Sequence, residues 1–579
     1  MENKAFGIDL GTTYSCISYV DDISGEPVVV DNLEGTNVTP SIVYFEDESS
    51  FAVGDVAKDS AVADPERTCE FVKRKMGIDK VAITVDGKDY APELVSSLIL
   101  QKLVKDAEQA LDTEIKDVVI TCPAYFGIAE KTATQEAGKL AGLNVLEIIN
   151  EPTAAALCYG SLRDVEDKVI LVYDLGGGTF DVTIIRVTPE EIVAIATDGN
   201  HQLGGKDWDK ALMEYLEDEF RSQKDFDDEF DLEATQDLQL KAERAKQQLT
   251  AKAQTKVTVM ASGVRANISV DRETFDDITS TLLRQTIDKT NDAVEAAKQK
   301  GVTKIDEIIL VGGSCKMPQV KAAVEAEYPD IPIKMFEPNT AVAKGAAIHA
   351  DNIKKGNVVL QQWKNEMEAV IEKINEERSE DEQLTVDDLM REDIADEVKD
   401  EVEKTIERTG GDVEKAKYFL GGGVKKESGP VLRNITSKSF GVEVLTDEED
   451  ENGERVSKIR NLITKQDAVP VTVSQEFGTA YANQDTAEIV VYETDVTDEI
   501  YDIGMLEPLG TAVLELPGNL PRHAPVEITF ELTTDGLLKV RGYEKTSNRE
   551  CRVQLQSGAI STEEELEQMQ EYAKALTLI

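Results

Sequence analysis

The sequence predicts a multidomain protein: a duplicated α/β domain, then a charged helical insertion, then an all-β domain. Three observations carry this reading. One glycine hairpin is written twice, as Gly7-Ile8-Asp9-Leu10-Gly11-Thr12-Thr13-Tyr14 and as Tyr173-Asp174-Leu175-Gly176-Gly177-Gly178-Thr179-Phe180-Asp181. Apolar strands alternate with helical stretches to about residue 350, where the composition turns charge-rich. From about Leu432 the apolar spacing switches to a period of two.

Each hairpin copy supplies an apolar strand, an acid, a glycine turn and a hydroxyl. Glycines bring bare N–H groups against phosphate oxygens, and an Asp at a strand end suits a hydrated Mg²⁺. Two such hairpins face to face would clamp one nucleotide, and Ile309-Leu310-Val311-Gly312-Gly313-Ser314 is a third glycine element of the same kind. Asp-Leu-Gly runs also make ordinary hairpin turns, so the conjunction carries the reading rather than either copy alone. The Walker A pattern is absent, which leaves a P-loop fold without support.

Between about Asn352 and Glu427, apolar residues at Trp363, Met367, Val370, Ile371 and Ile374, then Val398, Val402 and Ile406, recur at helical spacing and predict two amphipathic helices. Gly410-Gly411 and Gly421-Gly422-Gly423 read as joints. Val526, Ile528, Phe530 and Leu532, then Asp535-Gly536, then Leu538 and Val540, read as a β-hairpin. A closing helix has Thr562 as cap, Glu565 completing a capping box, and a stripe of Leu566, Met569, Ala573 and Leu576. Its expected packing partner is the β domain. The predicted boundaries are 1–351, 352–428, a linker 429–438, 439–558 and a helix 559–579.

Acidic residues outnumber basic ones 113 to 62, a net charge of −51, so the general field repels nucleic acid and anionic lipid. The six cysteines lack the close pairing of a zinc or redox motif, and three histidines leave little room for histidine-centred chemistry. No leader or membrane-length apolar run is apparent, so a soluble protein of a reducing cytoplasm is expected.

Together with the hairpins, Thr121-Cys122-Pro123-Ala124-Tyr125-Phe126, Ile149-Asn150-Glu151-Pro152-Thr153-Ala154-Ala155-Ala156, Leu203-Gly204-Gly205, Glu243-Arg244-Ala245-Lys246 and Val311-Gly312-Gly313-Ser314 stand in an order that resembles the 70-kilodalton heat-shock chaperones of the DnaK type. The resemblance covers most of residues 5–350 and, more loosely, 431–579. It implies an actin-like (ribonuclease H-like duplicated) ATPase domain and a β-sandwich that binds extended apolar peptides, with ATP hydrolysis switching the affinity. It further implies that Gly11, Thr12, Thr13 and Tyr14, with Gly176, Gly177 and Gly178, line the phosphates of ATP or ADP, and that Asp9 and Asp174 hold Mg²⁺ through water. Lys73, Glu151, Asp174, Thr179 and Asp181 become the hydrolytic set. Gly204, Gly205, Gly312, Gly313 and Ser314 approach the phosphates and adenosine, while Glu243, Lys246 and Thr250 surround the ribose and base.

The sequence departs from the family pattern at named positions. Gln247 and Lys316 stand where many relatives use arginines, and Asn339 replaces a more usual Asp. Val442, Val444, Leu445, Phe477, Thr479, Ala480, Gln484, Ala487 and Ile489 match the peptide-binding positions, with Ala487 smaller than expected. The linker reads Val431-Leu432-Arg433-Asn434-Ile435, with one apolar position charged and its acid become an amide; Lys131 replaces an arginine, and Gly127-Ile128 a polar pair. The last helix resembles a shortened lid, from which fast peptide release is expected. Implied partners are unfolded polypeptides, a J-domain protein and a nucleotide-exchange factor, with no nucleic acid and no membrane; a monomer is expected. The alternative is an ATP-binding regulatory co-chaperone or scaffold with little hydrolysis.

Overall fold

The computed structural model describes residues 4–163, 167–375, 378, 383–385, 389, 396–409, 429–449, 453, 455–533, 537–555 and 563–579. The duplication read from the hairpins reappears as topology. In the first sheet, strand Ala5–Asp9 lies between Asp117–Cys122, which runs parallel to it, and Tyr14–Val20, which is antiparallel and followed outward by Pro27–Val29. In the second sheet, Lys168–Leu175 lies between parallel Glu307–Val311 and antiparallel Phe180–Val187, followed outward by Glu191–Asn200. The same order therefore places each glycine turn at the end of the central strand of its own sheet.

The central strand of each sheet is buried on both faces, which is why it reads as a near-continuous apolar run rather than an alternating one. Val169, Leu171, Tyr173 and Leu175 pack on helices Gly205–Lys224 and Ser280–Gln299, around the fully buried Trp208, while Ile170 and Val172 belong to the core on the opposite face. The alanine-rich helix Glu151–Arg163 and the helix Ala341–Asn375 fill the space between the sheets. Their small side chains let the backbones come so close that a Cβ on Gly345 would meet the Ala154 carbonyl.

The helix Ala341–Asn375 runs unbroken through the predicted boundary at 351/352 and packs against Asp396–Thr409. Met367, Val370, Ile371, Ile374, Val402 and Ile406 are buried and Val398 is half-buried. The Trp363 side chain and both glycine joints lie outside the described residues.

The β domain pairs a five-stranded sheet with a four-stranded one over a single apolar core. Pro525–Leu532 and Leu538–Glu544 form the expected antiparallel pair, in register at Leu532 and Leu538, and their Asp535-Gly536 turn lies outside the described residues.

The closing helix corrects the sequence reading. Glu563–Ala575 packs on the helices Pro92–Leu111 and Ile128–Leu140 of the first lobe and not on the β domain. Ala573 and Leu576 are buried in that lobe's core, Tyr572 donates to the Glu48 carbonyl at 2.7 Å, and Thr577–Leu578 adds a parallel strand beside Ser50–Val53. An amphipathic stripe requires a cover for its apolar side and does not specify which surface supplies it. The Thr562 cap lies outside the described residues.

Candidate functional site: the hairpin cleft and the domain interface

The two hairpins meet across a cavity of about 430 Å³. Its wall includes Asp9, Gly11, Thr12, Thr13, Tyr14, Lys73, Glu151, Asp174, Gly176, Gly177 and Thr179. Glu243, Lys246, Gln247, Thr250, Gly312, Gly313, Ser314, Lys316 and Asn339 also line it. The predicted Gly178, Gly204 and Gly205 stand behind this wall and brace it. Gly205 and Lys206 N–H groups donate to the Gly176 and Gly177 carbonyls at 3.0 and 2.8 Å, and Ser314 Oγ donates to the Gly176 carbonyl at 2.8 Å. Gly312 has φ +85°, and a Cβ there would strike the Leu175 carbonyl, so this turn demands glycine.

At the hydroxyl end, Lys73 is buried and its Nζ lies 2.5 Å from Glu151 Oε1. Lys73 is the cation among four acids. Burial, followed by the charge of Glu151, pushes the Asp9, Asp174 and Asp181 carboxyls upward, and Lys73 offsets only part of this. Such a donor set, over-supplied with buried negative charge, fits a divalent cation, which would restore the carboxylates to their ionised forms. Among the described residues no three acids, histidines or cysteines approach closely enough to ligate a metal directly. Thr13 Oγ1 is buried without a hydrogen-bond partner, as a hydroxyl waiting for a phosphate oxygen would be. Asp181 is turned away from the cavity and accepts from the Tyr125 N–H at 3.1 Å.

Pairs that sequence reasoning missed close the cleft. Lys58 Nζ lies 2.5 Å from Glu243, which also accepts from the Tyr14 hydroxyl at 3.0 Å and Gln247 at 3.2 Å. Arg74 donates to the Gly178 carbonyl at 2.7 Å and forks onto Asp207, and Asp209 pairs with Lys246 at 2.7 Å. Nothing local marks these residues, because their partners lie more than a hundred residues away in most cases.

The predicted linker is a strand. Val431–Ile435 extends the second sheet, parallel to Glu191–Asn200, and its far end pairs with Ala468–Val469 of the β domain. Alternation along the strand accommodates both substitutions in this segment. Arg433 points outward to Glu191 at 3.1 Å, and buried Asn434 accepts from the Thr153 hydroxyl at 3.0 Å. The β domain sits against the cleft's outer wall. The Tyr125 hydroxyl bonds Asp495, which also meets Lys438 at 2.9 Å, and Ile128 is buried in the β-domain core cluster. Gly127 lies against two carboxylates, and a Cβ there, 2.4 Å from a Glu493 oxygen and 3.1 Å from a Glu130 oxygen, would require those side chains to shift.

Of the predicted peptide positions, Val442, Ile489 and Thr479 are buried in the sandwich, and Thr479 is bonded to the Pro521 carbonyl at 2.9 Å. Val444, Leu445, Phe477, Ala480, Gln484 and Ala487 are half-exposed, with the Gln484 amide pinning the Ala480 N–H at 3.0 Å. Five of the cysteines are buried, Cys551 is half-buried, and all are free thiols. Among the described residues no helix is long and apolar enough to cross a membrane.

The model of the Hsp70 protein family matches residues 5–364 and 419–577, and the unmatched stretch falls within the charged helical segment. Two chaperone proteins DnaK, from two strains of Halobacterium salinarum, are each 33% identical over 582 residues, covering 99% of this chain and 78% of theirs. The chain belongs to the Hsp70 family, whose members are ATP-hydrolysing molecular chaperones.

Proposed function

We propose that this chaperone binds extended apolar segments of unfolded polypeptides in its β-sandwich and that ATP, held between the two hairpins, switches that affinity by docking the sandwich onto an actin-like ATPase domain. The observation that carries this reading is continuous bonding from the hydrolytic end of the cleft to the β domain: Asp181 to the Tyr125 backbone, and the Tyr125 side chain to Asp495. A ligand shifts such an equilibrium only by binding the two states differently, and a contact that begins at Asp181 provides the difference.

Thr12, Thr13 and the hairpin N–H groups bind the phosphates, Lys73 and Glu151 position the attacking water, and Thr179 completes the network, while Asp181, off the cavity wall, links this end to the Tyr125 backbone. Asp9 and Asp174 hold Mg²⁺ through water, and the bound ion supplies the positive charge that screens the phosphates. Glu243, Lys246, Gln247, Thr250, Lys316 and Asn339 surround the nucleoside. A J-domain protein and a nucleotide-exchange factor are the expected helpers. Fluorescence anisotropy of a labelled apolar peptide bound in ADP tests the proposal: addition of ATP is expected to release it, and a bound peptide indifferent to ATP would overturn the coupling.

The docked interface should respond to pH. Burial, then the neighbouring Glu130, push the Glu493 carboxyl up to about 7 from an ordinary 4.5, against the opposing charges of Lys438 and Lys131 and a hydrogen bond from the Ile128 N–H. Docking therefore binds a proton: its contribution is complete below the ordinary value and is lost as pH rises through about 7. Small-angle scattering in ATP should show the chain opening as pH rises over this range, and Glu493→Gln should remove that part of the response. The Asn434→Ala change should weaken docking by about 1–3 kcal/mol, because it leaves the buried Thr153 hydroxyl without its acceptor, and partial peptide release at saturating ATP would report it.

A further inference from the structure

Two residues before Lys73, Phe71 has a left-handed backbone, with φ +57° and ψ 28°. A bulky side chain rarely adopts this conformation, which persists only where neighbouring contacts hold it. Phe71 heads the short 3₁₀ turn Val72–Lys75, and the Arg74 N–H closes that turn on the Phe71 carbonyl at 3.0 Å. The left-handed residue therefore sets the direction in which the chain enters the turn. With it goes the place where buried Lys73 meets Glu151, 2.5 Å away.

The contacts that hold this turn come from the opposite lobe. Val72 is buried in the core of the first lobe and Trp208 in that of the second. Arg74 donates to the Gly178 carbonyl at 2.7 Å and to Asp207 at 2.6 Å, and the Lys206 ammonium rests 4.8 Å from the centroid of the Phe71 ring. Lys206 and Asp207 stand in the first turn of the helix Gly205–Lys224, whose Lys206 N–H also braces the Gly177 carbonyl at 2.8 Å. One helical turn thus touches both the second glycine hairpin and the segment that carries Lys73. Burial, then the Arg74 guanidinium, push the Lys206 pKa down to about 8, and Asp207 opposes this only in part. The ammonium is kept over the ring at a cost that a solvent-facing lysine avoids.

We propose that the Lys206 ammonium on the Phe71 ring is a positioning contact for hydrolysis, pinning the left-handed turn from across the cleft and so holding Lys73 against Glu151. Its role in hydrolysis rests on the part assigned to Lys73 above. An ammonium is attracted by the face of an aromatic ring without being neutralised by it. Lys206 therefore holds Phe71 without taking a carboxylate from Arg74 or from Lys73. Neither Phe71 nor Lys206 lines the nucleotide cavity, so both act through Lys73 and not on the nucleotide.

The test uses the full chain and two readouts. Without nucleotide, hydrogen exchange of the Arg74 amide reports the turn itself. Lys206→Met should speed that exchange about fivefold, as expected for one cation–π contact, and Lys206→Arg should keep the protection, since a guanidinium also stacks on an aromatic face. Phe71→Gly takes the left-handed backbone freely but has no ring, so adding Lys206→Met to it should cause no further loss. In single-turnover cleavage of γ-labelled ATP, Lys206→Met and Phe71→Gly should each slow the step by about the same fivefold with nucleotide affinity unchanged, and Lys206→Arg should cleave at the wild-type rate. Unchanged exchange in Lys206→Met, or a double variant that loses the product of the two single effects, overturns the contact. Faster exchange with unaltered cleavage overturns its role in hydrolysis. If the wild type cleaves no ATP, the part assigned to Lys73 fails, and the exchange measurement still decides whether Lys206 holds the turn.

Discussion

Replacing Lys73 with alanine is expected to slow ATP hydrolysis by about 100- to 1,000-fold, the usual cost of removing one preorganised electrostatic group from a water-excluded site. Lys73 is 5% exposed and is the cation beside Glu151, Asp9, Asp174 and Asp181, so no neighbour inherits its charge. Nucleotide affinity should change far less, since Glu243, Lys246 and Lys316, which also line the cavity, are untouched. The substitution has a second signature. With the ammonium gone, nothing offsets the burial and the Glu151 charge that push the Asp9, Asp174 and Asp181 carboxyls upward, so residual hydrolysis should climb with pH across the neutral range. Quenched single-turnover cleavage of γ-labelled ATP, with nucleotide binding measured in parallel, checks both. A rate within threefold of the wild type would remove Lys73 from the chemistry.

The second large effect is expected at Ile128. Its side chain is 2% exposed among Phe440, Val469 and Leu532, and it stands beside the Glu130 and Glu493 carboxyls. An Ile128→Asp change buries a third carboxylate there, at a cost of about 3 kcal/mol or more in the docked arrangement and little in the undocked one. The chain should then stay extended in ATP by small-angle scattering, and ATP should no longer release bound peptide. Unchanged scattering together with normal release would show that this contact does not hold the domains together. The variant keeps every residue of the nucleotide cavity, which separates loss of coupling from loss of the ATPase site.

Much of the cavity between the hairpins was legible in the chain because its parts are local. A hairpin that must present bare N–H groups to an anion is written in consecutive residues, and its second copy repeats the order. Gly312 could be anticipated for the same reason, since a positive φ at a tight turn is a local demand. The linker was legible as a segment and misleading in detail. Arg433 and Asn434 look like losses until the strand places one at the surface and the other against Thr153.

By itself the sequence determined most strands and helices, the glycine hairpins that meet across the cavity, and the change to an all-β pattern, because hydrophobic period and turn chemistry act over a few residues. The tertiary structure decided which partners satisfy them. Lys58 finds Glu243, Arg74 finds Asp207, and the closing helix covers its stripe on the first lobe rather than on the β domain. A charge or an apolar face specifies only the kind of surface it needs, and several surfaces of this protein qualify. The choice among them depends on the packing of the whole chain, in which shape, burial and the pairing of every neighbouring charge are settled together.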